Sequence, residues 1–183
     1  MMVRRYTVTA IALHWLVALL VLGSATLGLY MVDLPLSPAK LKFYSWHKWI
    51  GVSIFLLAVL RALWRLTHPV PALPAATPRW QRAASAASHL LLYLLVIVIP
   101  LSGWLMSSAL GVQTVYLGVL PLPDLLAKDK ALGEQLKLVH AALNWTLAVL
   151  VVVHVAAALR HHFVDRDDVL QRMLPFVGPR AQR

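Results

Sequence analysis

Cysteine is absent from this 183-residue chain, which removes disulfides, iron–sulfur clusters, thiol chemistry and covalent haem attachment from consideration. Charge is scarce at 13% of residues, and only seven side chains are acidic. None of the seven falls inside a long apolar run, so no buried carboxylate or thiolate is at hand to complete a zinc or copper site. The alternating pattern of strands is missing, which argues against an outer-membrane barrel. No repeat or low-complexity segment stands out, and the basic residues form no separate domain of the kind that binds nucleic acid.

What is present is apolar. Hydrophobic residues make up 60% of the chain and the mean hydropathy is +0.73, values outside the range of an ordinary soluble domain. Runs of about 20 apolar residues predict an all-α, transmembrane four-helix bundle forming one domain over 1–183, with spans near 10–31, 45–66, 86–108 and 137–159. The first run lacks a small-residue cleavage site after a short core and is read as a retained span rather than a signal peptide. Pro69, Pro71, Pro74 and Pro78 make the second connection a proline-rich linker too short to fold alone. The third, from about Ala109 to Leu136, is the longest and is expected to form an interfacial helical turn or cap. Pro100 is expected to kink the third helix.

The cations sort by type. All eleven arginines (4, 5, 61, 65, 79, 82, 160, 166, 172, 180 and 183) lie at one side of the spans. All six lysines (40, 42, 48, 128, 130 and 137) lie at the other. Eleven against six, by the positive-inside bias, predicts both termini in the cytoplasm.

Within this frame four histidines sit in or at the mouths of apolar runs, where an ionisable side chain is costly and usually functional. His140 and His154 share the fourth span, fourteen residues apart, which in a helix is ~21 Å of rise and close to four turns, so both leave one face at opposite sides of the bilayer core. His14 joins His154 near the cytoplasmic side and His47 joins His140 near the outer side. A lone histidine at a helix end is ordinarily interfacial, but two layers of two match the needs of two six-coordinate haem irons. Ala18, Gly51 and Ala158, one turn beyond three of these histidines, leave room for a flat group; Asn144 after His140 breaks the pattern. Trp15, Trp46 and the other tryptophans read first as an interfacial belt. His89 lies at the depth of His14 and competes with it on spacing alone.

The segments Ala12-Leu13-His14-Trp15-Leu16, Trp46-His47-Lys48-Trp49-Ile50-Gly51, His89-Leu90-Leu91-Leu92-Tyr93 with Pro100-Leu101-Ser102-Gly103, and His140 with His154 resemble the bacterial cytochrome b561 family. The likeness extends to Leu159-Arg160-His161-His162-Phe163 and Arg172-Met173-Leu174-Pro175 and so spans nearly the whole chain. It implies a bacterial inner-membrane bundle carrying two haem b groups, the inner one held by His14 and His154 and the outer one by His47 and His140. On that pattern His89 is not an axial ligand and instead meets an inner haem propionate or a quinone.

Two bis-histidine irons leave no open coordination position, so outer-sphere electron transfer is expected. Ubiquinone is the natural membrane partner. His161 and His162 are the first candidates for its headgroup, with His89 and Arg160 as second choices; Arg61 and Arg65, one turn apart, are candidates for propionate contacts. The outer lysines suit an anionic donor, and some members of the resembled family are superoxide oxidases, which implies superoxide as electron donor and ubiquinone as acceptor. Two other classes stay open at the sequence level: a cytochrome b subunit accepting electrons from a partner dehydrogenase or hydrogenase, or another periplasmic redox protein as donor, and a non-redox four-helix transporter.

Overall fold

In the computed structural model, which describes residues 5–176, the architecture is four long helices, one small hairpin and the connections between them. Arg4, Arg180 and Arg183, which entered the charge comparison, lie outside the described residues. The helices are α1 (Val8–Val32), α2 (Pro38–Thr67), α3 (Arg79–Ala109) and α4 (Lys130–Phe163), each long and apolar enough to cross a membrane.

Three of the helices, α2, α3 and α4, begin well before their apolar runs, because backbone hydrogen bonding continues past the bilayer edge, and side chains cap the first and last of these. Ser37 accepts from the Lys40 amide with Pro38 in the first helical turn, and Asp129 accepts from the Leu132 amide at the start of α4. Thr7 caps α1 in the same way through the Ala10 amide. Side-chain caps of this kind contribute about 1 kcal/mol each. As a result His47 and His140, which the apolar runs place at helix mouths, sit inside α2 and α4. The helix α3 is continuous through Pro100.

Successive helices pack in chain order, α1 on α2, α2 on α3 and α3 on α4, an up-and-down bundle in which α1 and α4 touch sparsely among the described residues. The bundle thus has a termini end and a hairpin end. Midway between them, Leu95, Ile99 and Leu147 form a buried cluster with Val21, Leu92, Val96, Leu143 and Leu150 around it. The outward faces are equally apolar: Leu22 on α1 is 66% exposed and Val152 on α4 is 68% exposed, values that suit lipid rather than water.

The third connection corrects the expected helical turn. It folds as a two-stranded antiparallel hairpin, β1 (Val115–Tyr116) with β2 (Leu120–Pro121), paired Val115 to Pro121 and Tyr116 to Leu120. Leu117 and Gly118 carry positive φ at its tip, and Pro121 and Pro123 follow, so a helix is unavailable there. Tryptophans fasten the ends through hydrogen bonds within the chain. At the hairpin end the indole N–H of Trp49 donates to the Val115 carbonyl (2.6 Å) and that of Trp104 to Pro123 (3.0 Å). At the termini end Trp64 donates to Thr7 (2.9 Å) and Trp15 to the Met173 carbonyl (2.8 Å). Arg5 and Arg172 complete that end, donating to the carbonyls of Leu174 and Ala72 (both 2.6 Å) and so strapping the C-terminal segment across α1 and the second connection.

Candidate cofactor site

At the hairpin end His47 of α2 and His140 of α4 face each other, ring centres 6.4 Å apart with planes at 87°. Each ring is anchored through Nδ1 by the helix that precedes its own. For His47 the partners are the Ser24 carbonyl at 3.1 Å and the Ser24 hydroxyl at 3.2 Å. A carbonyl can only accept, so Nδ1 carries the proton and Nε2 keeps its lone pair. For His140 the partner is the Ser102 hydroxyl at 2.8 Å, whose own proton goes to the Ile99 carbonyl at 2.7 Å. The same protonation follows: Nδ1–H donates to Ser102 and Nε2 is free.

Close approach of these rings depends on two glycines. A β-carbon on Gly28 would lie 3.3 Å from His47 Cε1, and one on Gly103 would lie 3.1 Å from His140 Cε1. The hairpin end is therefore built twice by one recipe, a serine and a glycine on α1 or α3 seating a histidine on α2 or α4.

At the termini end His14 of α1 and His154 of α4 stand 6.3 Å apart at 67°. His89 of α3 comes closer to His154, at 5.3 Å, and its Nδ1 is tied to the Ser85 carbonyl at 2.7 Å. Arg61 and Arg65 both lie over the Tyr93 ring, 4.8 and 5.7 Å from its centre. Arg61 is also within Coulombic reach of His14, His89 and His154. Two guanidinium groups, three imidazoles and a tyrosine thus gather on the arginine-rich side.

The spacing of the pairs has a chemical meaning. Two metal–nitrogen bonds of about 2.0–2.1 Å in line with two imidazole half-rings of about 1.1 Å put ring centres about 6.3 Å apart. Both cross-bundle pairs have that separation, and the contact between His89 and His154 falls an ångström short of it. The residues present fit two bis-imidazole metal centres, one near each end.

The remaining sequence candidates separate. His161 is held by Asp167 (2.6 Å) and Asp165 (3.5 Å) in the turn that ends α4, and Arg160 pairs with Asp165 at 3.7 Å. His162 keeps a buried Nδ1 with no partner among the described residues. Gly51, expected to leave room for a flat group one turn beyond His47, borders open space, with nothing within 4 Å of where its β-carbon would be, whereas Gly28 and Gly103 make room for the histidine rings themselves. Ser24, Ser102, Gly28 and Gly103 are the site residues that sequence reasoning missed. Ser102 and Gly103 lay within a quoted motif, but nothing along the chain links them to a histidine 38 residues away.

The chain matches the family model described as prokaryotic cytochrome b561 over residues 5–176. It is 41% identical over 172 residues to cytochrome b561 homolog 2 of Escherichia coli K12, covering 93% of this chain and 91% of that protein. It is 30% identical over 177 residues to the probable superoxide oxidase CybB of Yersinia pestis (94% and 97% covered) and 28% identical over 174 residues to cytochrome b561 homolog 1 of Escherichia coli K12 (93% and 97%). With four spanning helices and a match across nearly its whole length, the chain belongs to the prokaryotic cytochrome b561 family, multi-pass bacterial inner-membrane electron-transfer proteins that carry b-type haem.

Proposed function

We propose that this protein holds two haem b groups, one between His14 and His154 and one between His47 and His140, and moves electrons from superoxide to ubiquinone. The observation that carries the ligand assignment is the pair of ring separations, 6.3 and 6.4 Å. The contact of His89 with His154, at 5.3 Å, is an ångström or more shorter than the two cross-bundle pairs and supports a role for His89 beside the cofactor rather than as a residue that would hold its iron. When bound, haem supplies one-electron oxidation and reduction at an iron saturated by two imidazoles.

The chain's own residues do the rest. The serine and glycine seats hold His47 and His140 through Nδ1 and the Cε1 edge, leaving each Nε2 without a hydrogen-bond partner among the described residues. Arg61 and Arg65, beside the termini-end imidazoles, supply positive charge for carboxylate groups at that end. His162, with its unpartnered buried Nδ1, is our choice for hydrogen bonding a quinone carbonyl, ahead of His161, whose Nδ1 is occupied by Asp167. The placement of arginines and lysines supports a cytoplasmic termini end, and the lysines at the other end suit attraction of an anion.

The superoxide reading draws on the relative at 30% identity whose name is probable superoxide oxidase. Its balance is simple: two superoxide anions give up two electrons and leave as dioxygen, and one quinone takes two electrons and two protons to become quinol. Stopped-flow spectroscopy tests both halves. Mixing the purified haem-loaded protein with superoxide should reduce the b-type bands rapidly, and a ubiquinone analogue should reoxidise them. No haem reduction by superoxide overturns the donor. Reduction without quinone-dependent reoxidation overturns the acceptor.

A further inference from the structure

We propose that Ser102 is a positioning residue for the hairpin-end cofactor, its hydroxyl accepting from His140 while donating to Ile99 so that it fixes the ligand's donor nitrogen and sets the cofactor's potential. The inference rests on the reading that His47 and His140 are axial ligands. Ser102 is 5% exposed in the bundle interior, where a hydroxyl needs partners, and both of its hydrogen bonds are short. Because its single proton is committed to the Ile99 carbonyl, the oxygen presents a lone pair to His140. An imidazole that donates its second N–H is held in orientation and becomes a stronger donor at its other nitrogen, which favours the oxidised over the reduced metal.

His47 and His140 each have a backbone carbonyl beside the ring, that of Ser24 and that of Ile99. Among the described residues only the Ser24 carbonyl is in direct hydrogen-bond geometry with its imidazole, the Ile99 carbonyl being reached through Ser102. The Ser24 carbonyl receives the His47 proton, and that acceptor survives loss of the Ser24 hydroxyl. Neither His14 nor His154 has a ring hydrogen bond among the described residues. The two ends therefore differ in how their imidazoles are supported, and side-chain removal at Ser102 should act on one end alone.

The test is a potentiometric titration of the haem-loaded protein, followed by visible spectra, for the wild type and for Ser102→Ala, Ser102→Thr, Ser24→Ala and His140→Ala. His140→Ala identifies the hairpin-end component by its loss. Ser102→Ala should raise the midpoint of that component by about tenfold in the reduced-to-oxidised ratio, 59 mV for one electron, and leave the other component unmoved. Ser102→Thr, which keeps the hydroxyl, should restore the wild-type midpoint, and Ser24→Ala should match the wild type. The proposal is overturned by unmoved midpoints in Ser102→Ala, by equal movement of both, or by Ser102→Thr behaving as Ser102→Ala. Should Ser102→Ala fail to retain haem, the threonine variant decides: a wild-type midpoint upholds the proposal and loss of haem overturns it. Retention of both components in His140→Ala is a separate failure, that of the ligand assignment.

Discussion

A methyl group on Gly103 has nowhere to go unless His140 moves. The 3.1 Å approach of the hypothetical β-carbon to the imidazole edge is tighter than ordinary van der Waals contact, so Gly103→Ala should push the ring by a few tenths of an ångström. Supporting contacts around a metal-binding histidine are typically worth 10–100-fold in affinity, and we expect Gly103→Ala to weaken haem retention at the hairpin end by about tenfold, with Gly28→Ala milder at 3.3 Å. Haem-to-protein ratios after size-exclusion chromatography measure this, and unchanged content and spectra in Gly103→Ala would refute it. The histidines were legible in the sequence because an ionisable group in an apolar run is expensive and conspicuous. Their seats were not. A serine or glycine in a membrane helix is common, and what singles out Ser102 is a neighbour on another helix.

At the scale of elements, apolar length located all four helices, because satisfying the backbone inside a bilayer leaves only a helix or a closed barrel, and the sequence lacks the alternation a barrel needs. It misjudged the starts of α2, α3 and α4, where backbone hydrogen bonding continues the helix beyond the apolar run, with a side-chain cap at the start of α2 and α4 and none at that of α3. It also misread the third connection, whose fold is set by positive φ at Leu117 and Gly118 and by nearby prolines rather than by hydropathy. Packing between helices rests on a few residues. Leu147 lies midway along the sequence between His140 and His154, and it meets Leu95 and Ile99 of α3. Within a bilayer, such contacts act through close packing rather than through exclusion of water. Leu147→Ala should cost about 2–3 kcal/mol, at the lower end for large-to-small core changes. Thermal denaturation in detergent followed by loss of the haem spectrum would reveal it as a lowered midpoint, and an unshifted midpoint would show that the cluster does not hold α3 and α4 together.

For the whole molecule the open question of orientation has a clean assay, since a chain without cysteine gives no background to thiol reagents. Gln113 lies exposed at the hairpin end and Ala76 exposed at the termini end. With the termini cytoplasmic, Gln113→Cys should react with a membrane-impermeant maleimide on intact spheroplasts and Ala76→Cys only after permeabilisation. The reverse pattern would invert the assignment of donor and acceptor sides along with the topology.

The fourth helix enters both histidine pairs, meeting α2 at one end and α1 at the other. This makes its length a matter of arithmetic. One residue added or removed between His140 and His154 turns one ring by about 100° relative to the other and shifts it by about 1.5 Å. No loop lies within α4 to absorb the change. Insertions are therefore tolerable in the proline-rich connection or around the hairpin, where the chain can lengthen without moving either pair. The segment from 140 to 154 is different: there the number of residues, more than the identity of most of them, is what the protein must keep.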